Sequence, residues 1–192
     1  MADPLSVPVA FDPERESLPF LARVKKKAAT KFRMSSAACR QNAAALAYWL
    51  LLFHREQEAE EVCRFLGTAE FTGNFSSWGP VEEALTLQAR LARAAGRPEE
   101  AAECVKQITA AGYSSNRLEG GLLTGRGGRR ERIQEAVAQK DKTAEREWRL
   151  RALTELCFMI ELGGSKQYPV EALEEEFRQN LDALRALIKV PA

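Results

Sequence analysis

The sequence predicts an all-α fold for three reasons. Apolar residues recur every three or four positions along most of the chain, as they do on the buried face of a helix. No segment alternates apolar and polar residues between turns, so no β-sheet is expected. Prolines and serines precede the periodic segments and glycines follow them, as is common at helix ends. We therefore predict about eight helices arranged as antiparallel hairpins.

The chain length of 192 residues suits one domain with an appendage. Residues 1–17 contain three prolines and little periodicity, which predicts an extended N-terminal arm. Residues 18–192 are predicted to form a single helical domain. Its parts are hairpin repeats over 35–111, a flexible Gly/Arg-rich loop over 112–130, and C-terminal helices over 131–190.

Local signals predict the first three helices. Pro19 suits a first helical position, and Ser35 or Ser36 can cap a second helix. The apolar face of the first helix consists of Phe20, Val24, Ala28 and Phe32, and that of the second consists of Cys39, Ala43, Leu46, Leu50 and Phe53. The second helix is expected to break at His54, and a third over about 56–66 ends at Gly67.

A connection of unusual composition follows the third helix. It spans residues 68–79 and contains Phe71, Asn74, Phe75 and Trp78 among Gly and Ser. Aromatic side chains on a loop are good anchors for a partner, because they offer contact area at a small entropic cost. The alternative is that they fill a groove between hairpins as a local core, and that interpretation is favoured.

Prolines and glycines also mark the ends of the remaining helices. Pro80 is expected to open a helix that ends at Gly96, and Pro98 opens one that Gly112 closes. Residues 112–130 hold six glycines and predict a mobile loop. The two apolar ladders beyond it are Trp148, Ala152, Leu156 and Ile160, then Leu173, Phe177, Leu181, Leu184 and Ile188.

Two stretches match at an offset of 42 residues. The first runs from Leu46 through His54-Arg55-Glu56-Gln57-Glu58-Ala59 to Val62, and the second from Gln88 through Gly96-Arg97-Pro98-Glu99-Glu100-Ala101 to Cys104. Both predict a helix, a tight turn, a charged first turn and a second helix. The small residues Ala47, Ala59, Ala89 and Ala101 stand where two helices must pass closely.

This pattern resembles the tetratricopeptide repeat over residues 43–108. It departs from that family in its longer spacing, in His54 at the glycine position of the first copy and in the missing terminal proline. The resemblance implies a right-handed stack of hairpins with a C-terminal helical pair, and the binding of proteins or peptides. The Ala- and Arg-rich composition is also similar to bacterial immunity proteins of polymorphic toxin systems, which implies a toxin as partner.

The sequence contains no recognisable catalytic, metal-binding or cofactor motif. The cysteines, Cys39, Cys63, Cys104 and Cys157, form no C-x-x-C pair and are interpreted as buried free thiols. His54 falls at an interhelix turn, without cysteines or carboxylates at metal-ligand spacing. A Cys–His pair formed in space is the remaining route to a small helical enzyme.

The basic residues cluster in segments 23–33 and 126–132. Residues proposed as a basic patch are Lys25, Lys26, Lys27, Arg126, Arg129 and Arg130. The glycines near Arg126 lack the preceding strand and the Gly-Lys-Ser/Thr ending of a P-loop. A net charge of +1 gives no global attraction to nucleic acid or to an anionic membrane.

The leading hypothesis is a non-catalytic module that binds another protein, with a toxin as one specific partner and no cofactor. The alternatives are a nucleic-acid or anion binder that uses the basic segments, and a small helical enzyme of unknown reaction. The N-terminus has no signal-peptide pattern, and the longest apolar run, 43–53, is too short to span a bilayer. A cytoplasmic location without membrane contact is therefore expected.

Overall fold

The computed structural model of the protein describes residues 37–71, 75–111 and 123–188. Every regular element within these ranges is a helix. The helices are α1 (Ala37–Leu52), α2 (Glu56–Gly67), α3 (Phe75–Ala94), α4 (Pro98–Ala110), α5 (Leu123–Ala138), α6 (Lys142–Glu161) and α7 (Val170–Ile188). The all-α prediction is thus confirmed for the described residues. The predicted arm and the predicted helix after Pro19 lie outside them.

The chain divides into two compact units, residues 1–91 and residues 92–192. In the first unit α1 packs against α2. All seven residues from Leu46 to Leu52 are buried, and so are most residues of α3 from Trp78 to Leu91. A helix buried on every side occupies the centre of its unit. The core of the first unit is therefore built around α1 and α3.

Helix α2 is buried on one face only, through Ala59, Val62, Cys63 and Leu66. Its last residue, Gly67, approaches α3 closely. A Cβ atom at Gly67 would lie 2.9 Å from Cδ2 of Leu85. Because Leu85 is itself buried, the missing side chain of Gly67 makes this approach possible.

In the second unit α5 packs against α6, and α6 packs against α7. The buried face of α7 consists of Leu173, Phe177, Asn180 and Leu184. The last nine residues of α6 are buried except Thr154 and Glu155, which are half-buried. Helix α6 is thus the helix against which both of its neighbours pack.

Three corners between consecutive helices share one backbone hydrogen-bond pattern, which occurs a fourth time after α6, where the N–H of left-handed Gly163 donates to Ile160 (3.0 Å) and that of Gly164 to Met159 (2.8 Å). At the first, the N–H of His54 donates to the carbonyl of Leu51 (3.2 Å) and the N–H of Arg55 to that of Leu50 (2.9 Å). Gly96 and Arg97 repeat this pair of bonds at the second corner, and Lys140 and Asp141 at the third, with lengths of 2.9–3.1 Å. The first residue of each pair is left-handed, with φ of 57°, 72° and 57°. This is the Schellman arrangement, in which a left-handed residue ends a helix.

The first two corners also share a side-chain ion pair. Nε of Arg55 lies 2.5 Å from Oε1 of Glu58, and Nη1 of Arg97 lies 2.5 Å from Oε2 of Glu100. These residues belong to the two stretches that match in sequence. The matching residues therefore hold the same local contacts at both corners.

Two predicted boundaries differ from the structure. Helix α3 begins at Phe75, so that Pro80 lies inside the helix rather than opening it. A proline near a helix start removes only one main-chain hydrogen bond, and burial of Trp78 and Val81 favours the longer helix. Helix α5 begins at Leu123, so the last eight residues of the predicted loop are helical. Glycine costs a helix only about 1 kcal/mol relative to alanine, and the packed residues farther along α5 stabilise it.

Candidate functional site

The four predicted contact residues around the connection between α2 and α3 differ in their surroundings. Phe71 is half-buried and thus partly accessible to solvent. Trp78 is only 9% exposed and belongs to the buried part of α3. Asn74 and the side chain of Phe75 lie outside the described residues. Among the described side chains, Phe71 therefore offers the aromatic surface at this connection.

The connection is tied to α1 by Arg40. Nη1 of Arg40 donates to the carbonyl oxygen of Glu70 at 3.0 Å and to that of Ser77 at 2.9 Å. Glu70 follows the end of α2, and Ser77 lies in the first turn of α3. Arg40 itself is only 5% exposed. One buried guanidinium therefore contacts the chain on both sides of the aromatic connection.

Sequence reasoning missed Arg40. It considered only the apolar face of α1 that carries Ala43, Leu46 and Leu50, whereas Arg40 is buried as well. The available signal was the mostly small and apolar composition of the rest of α1, within which Arg40 is the one charged residue. A charged residue in such a helix is expected to hold buried polar partners.

Helix α3 contains a further buried acid. Glu82 has no exposed surface, and its neighbour one turn later, Thr86, is equally buried. A helix that opened at Pro80 would carry Glu82 in its first turn, where the helix dipole favours an acid. Because α3 begins at Phe75, Glu82 instead lies in the second turn, inside the first unit.

Of the predicted basic patch, Arg130 is the residue whose side chain is described. Its Nε and Nη2 lie 3.0 and 2.8 Å from Oε1 and Oε2 of Glu176. The hydrogen bond to Glu176 raises the pKa of Arg130, and its coulombic attraction adds to this, while partial burial acts in the opposite direction. The charge of Arg130 is thus compensated within the second unit. Lys25, Lys26, Lys27 and the side chains of Arg126 and Arg129 lie outside the described residues.

The residues considered for catalysis lie in contrasting surroundings. His54 is exposed at the first corner. Cys63, Cys104 and Cys157 are buried and form no disulfide, as predicted for them. Burial in apolar surroundings is typical of a structural thiol, whereas reactive thiols are partly exposed. Within the described residues no group of three or more His, Cys, Asp or Glu could hold a metal ion.

A second partly exposed aromatic lies on α6. Trp148 is half-buried, and the guanidinium carbon of Arg151 lies 5.2 Å from the centre of its ring. This distance is typical of a cation–π contact. The sequence pattern assigned Trp148 to the buried ladder, and the structure buries the other three members of that ladder more completely.

No helix in the described ranges is long and apolar enough to cross a membrane. A protein-family model described as a family of unknown function (DUF6707) matches residues 3–186. No curated protein matches the chain, and no solved structure does.

Proposed function

We propose that the chain, which belongs to this family of unknown function (DUF6707), is a non-catalytic module that binds another protein. The observation that carries the proposal is the repeated helix corner. The corners at Arg55 and Arg97 share their backbone hydrogen bonds, their left-handed residue and their Arg–Glu ion pair. Repeated helix hairpins of this kind commonly present surfaces for protein recognition.

The proposed contact residue is Phe71. It lies on the connection between two helices, it is half-buried, and the adjacent peptide carbonyl of Glu70 is held by Arg40. An aromatic side chain on a fixed backbone loses little conformational freedom when a partner binds. This supports Phe71 as an anchor on the connection between α2 and α3.

A specific form of the proposal is an immunity protein that neutralises a toxin. Its support is the similarity in composition to such proteins. The test is co-expression with the product of the neighbouring gene. Restored growth of cells that express that product supports the specific form, whereas unaltered toxicity contradicts it.

The general proposal is tested by affinity purification from a native extract with the full chain as bait. Three baits are compared: the unmodified chain, Phe71→Ala and Val137→Ala. Val137 is a matched control, because it is an exposed apolar residue in the second unit, with 47% of its surface accessible. Circular dichroism first establishes that all three baits are equally folded.

We expect one specific protein partner to be recovered by the unmodified chain and by Val137→Ala. Its affinity for Phe71→Ala should fall at least about fivefold, as for a truncated interface anchor. Recovery of no specific protein contradicts a protein-binding function. Equal recovery by all three baits places the contact elsewhere than Phe71. A salt-sensitive yield of RNA instead of protein would favour the basic segments as the binding site.

A further inference from the structure

We propose that Arg40 is a positioning residue for Phe71, acting through the peptide group between Glu70 and Phe71. The consequence for binding rests on the proposed function. The effect of Arg40 on the backbone at residues 68–71 does not depend on the proposed function. The effect on the backbone and the effect on binding are tested separately.

The hydrogen-bond geometry is the first step. Nη1 of a guanidinium carries two hydrogens, and in Arg40 this atom lies 3.0 Å from the carbonyl oxygen of Glu70 and 2.9 Å from that of Ser77. The two acceptors lie seven residues apart, on either side of Phe71. A single nitrogen of α1 therefore joins the segment that follows α2 to the first turn of α3.

The peptide plane is the second step. The carbonyl oxygen of Glu70 belongs to the same planar group as the backbone nitrogen of Phe71. A hydrogen bond that fixes this oxygen also fixes the orientation of the plane, and with it the direction in which the chain enters Phe71. Arg40 thus acts on Phe71 through the backbone, without touching a partner itself.

Burial is the third step. Arg40 is 5% exposed, so water does not readily replace the two carbonyl oxygens. Hydrogen bonds from an ionised donor are stronger than neutral ones, and a medium of low polarity strengthens them further. A lysine would keep the charge and could also donate twice from one nitrogen, but its side chain is one bond shorter than the path to Nη1 and lacks the rigid plane that fixes the direction of the two hydrogens.

Hydrogen exchange followed by mass spectrometry tests the backbone consequence on the full chain and on Arg40→Lys and Arg40→Met. We expect peptides that cover residues 68–71 to exchange at least tenfold faster in both variants, with α6 and α7 unchanged. Unchanged exchange over 68–71, or acceleration spread equally over α1, α2 and α3, would overturn the proposal. Arg40→Lys decides the matter if Arg40→Met unfolds the first unit, since lysine retains the buried charge and most of the side-chain volume.

A double-mutant cycle tests the consequence for binding. With the recovered partner, Arg40→Lys should weaken affinity about as much as Phe71→Ala, and should have no further effect when Phe71 is already alanine. Equal weakening in both backgrounds means that Arg40 acts on binding independently of Phe71, which overturns the positioning role. If the unmodified chain has no partner, the proposed function fails, and the exchange experiment alone decides the role of Arg40.

Discussion

Arg130 in α5 and Glu176 in α7 form a two-point ion pair within the second unit, with N–O distances of 3.0 and 2.8 Å. A second polar contact joins α6 to α7, where Nη1 of Arg149 donates to Oδ1 of Asn180 at 3.1 Å. Nδ2 of Asn180 donates in turn to the backbone carbonyl of Glu176 at 2.9 Å. Helix α7 is therefore held by polar contacts to both α5 and α6, in addition to its apolar face.

The ion pair is expected to contribute modestly to stability. The side chain of Arg130 is 56% exposed, so Glu176→Gln should lower the free energy of unfolding by about 0.5 kcal/mol, and less at high salt. Because Glu176 raises the pKa of Arg130, the contribution is fully present below the unfolded pKa of arginine, as long as Glu176 is ionised, and at the alkaline end it is lost only in extreme alkali. Urea denaturation followed by circular dichroism should show the same deficit at neutral pH and at about pH 10.

The control is the pair of Arg178 and Glu175, which are both exposed and lie within one turn of α7. Glu175→Gln should change stability less than Glu176→Gln, because this pair connects no second helix. If the two substitutions lower the free energy of unfolding equally, the ion pair between α5 and α7 stabilises the protein no more than a pair within one helix.

His54 and Lys140 are non-glycine residues in the left-handed region, each with a φ of 57°. This conformation costs an L-residue roughly 1 kcal/mol, which glycine does not incur. His54→Gly and Lys140→Gly should therefore each raise the free energy of unfolding by about 0.5–1 kcal/mol. Thermal denaturation checks this, and lowered stability in both variants would show that the side chains stabilise their corners.

Gly96 and Gly128 should respond in opposite directions to the same substitution. A Cβ atom at either position would meet no atom within 4 Å, so steric clash does not decide the outcome. Gly96 has a φ of 72°, and Gly96→Ala should destabilise the protein by about 1 kcal/mol. Gly128 lies within α5, and Gly128→Ala should stabilise it by about 0.5–1 kcal/mol. Urea denaturation of both variants measures the difference, and a shared sign would contradict the argument from backbone conformation.

The helix corners show what could be predicted from the sequence. The corners at Arg55 and Arg97 were predictable because the same side chains recur at both. The corner at Lys140 has the same backbone hydrogen bonds, but its residues do not match the others, since a Schellman ending depends on main-chain groups. A comparison of the two sequence stretches detects recurring side chains, but it does not detect a backbone hydrogen-bond pattern that recurs with different side chains.

The residues of the candidate site were less predictable, because their roles depend on tertiary packing. Pro80 locally favours a helix start, yet α3 begins five residues earlier, and both Trp78 and Glu82 are buried in it. Arg40 was missed because its two acceptors are backbone carbonyls 30 and 37 residues away. No spacing of side chains encodes such a contact.

Asp141 caps α6 with its side chain. Its carboxylate oxygen Oδ1 accepts hydrogen bonds from the backbone N–H groups of Thr143 at 3.1 Å and Ala144 at 3.0 Å. Asp141→Ala should lower the free energy of unfolding by about 1 kcal/mol, and Asp141→Asn should be close to neutral, because asparagine caps equally well. Guanidinium denaturation measures both. A similar loss for the two variants would assign the effect to charge rather than to the cap.

Gly67 offers the sharpest test of packing in the first unit. It is the last residue of α2, and its φ is not positive, so the reason for a glycine is the 2.9 Å approach of Leu85. Gly67→Ala should be destabilising by roughly 1–2 kcal/mol, because overpacking a buried contact outweighs the better helix propensity of alanine.

Leu85→Ala removes the clashing atom. It should cost about 2–4 kcal/mol through the cavity that it leaves. In that background Gly67→Ala should become neutral or stabilising, since the new methyl group finds space and the helix propensity of alanine is all that remains. The coupling in this cycle, measured by urea denaturation, is therefore expected to be about 1 kcal/mol or more. Additive effects of the two substitutions would mean that Gly67 is retained for a reason other than the approach of α2 to Leu85.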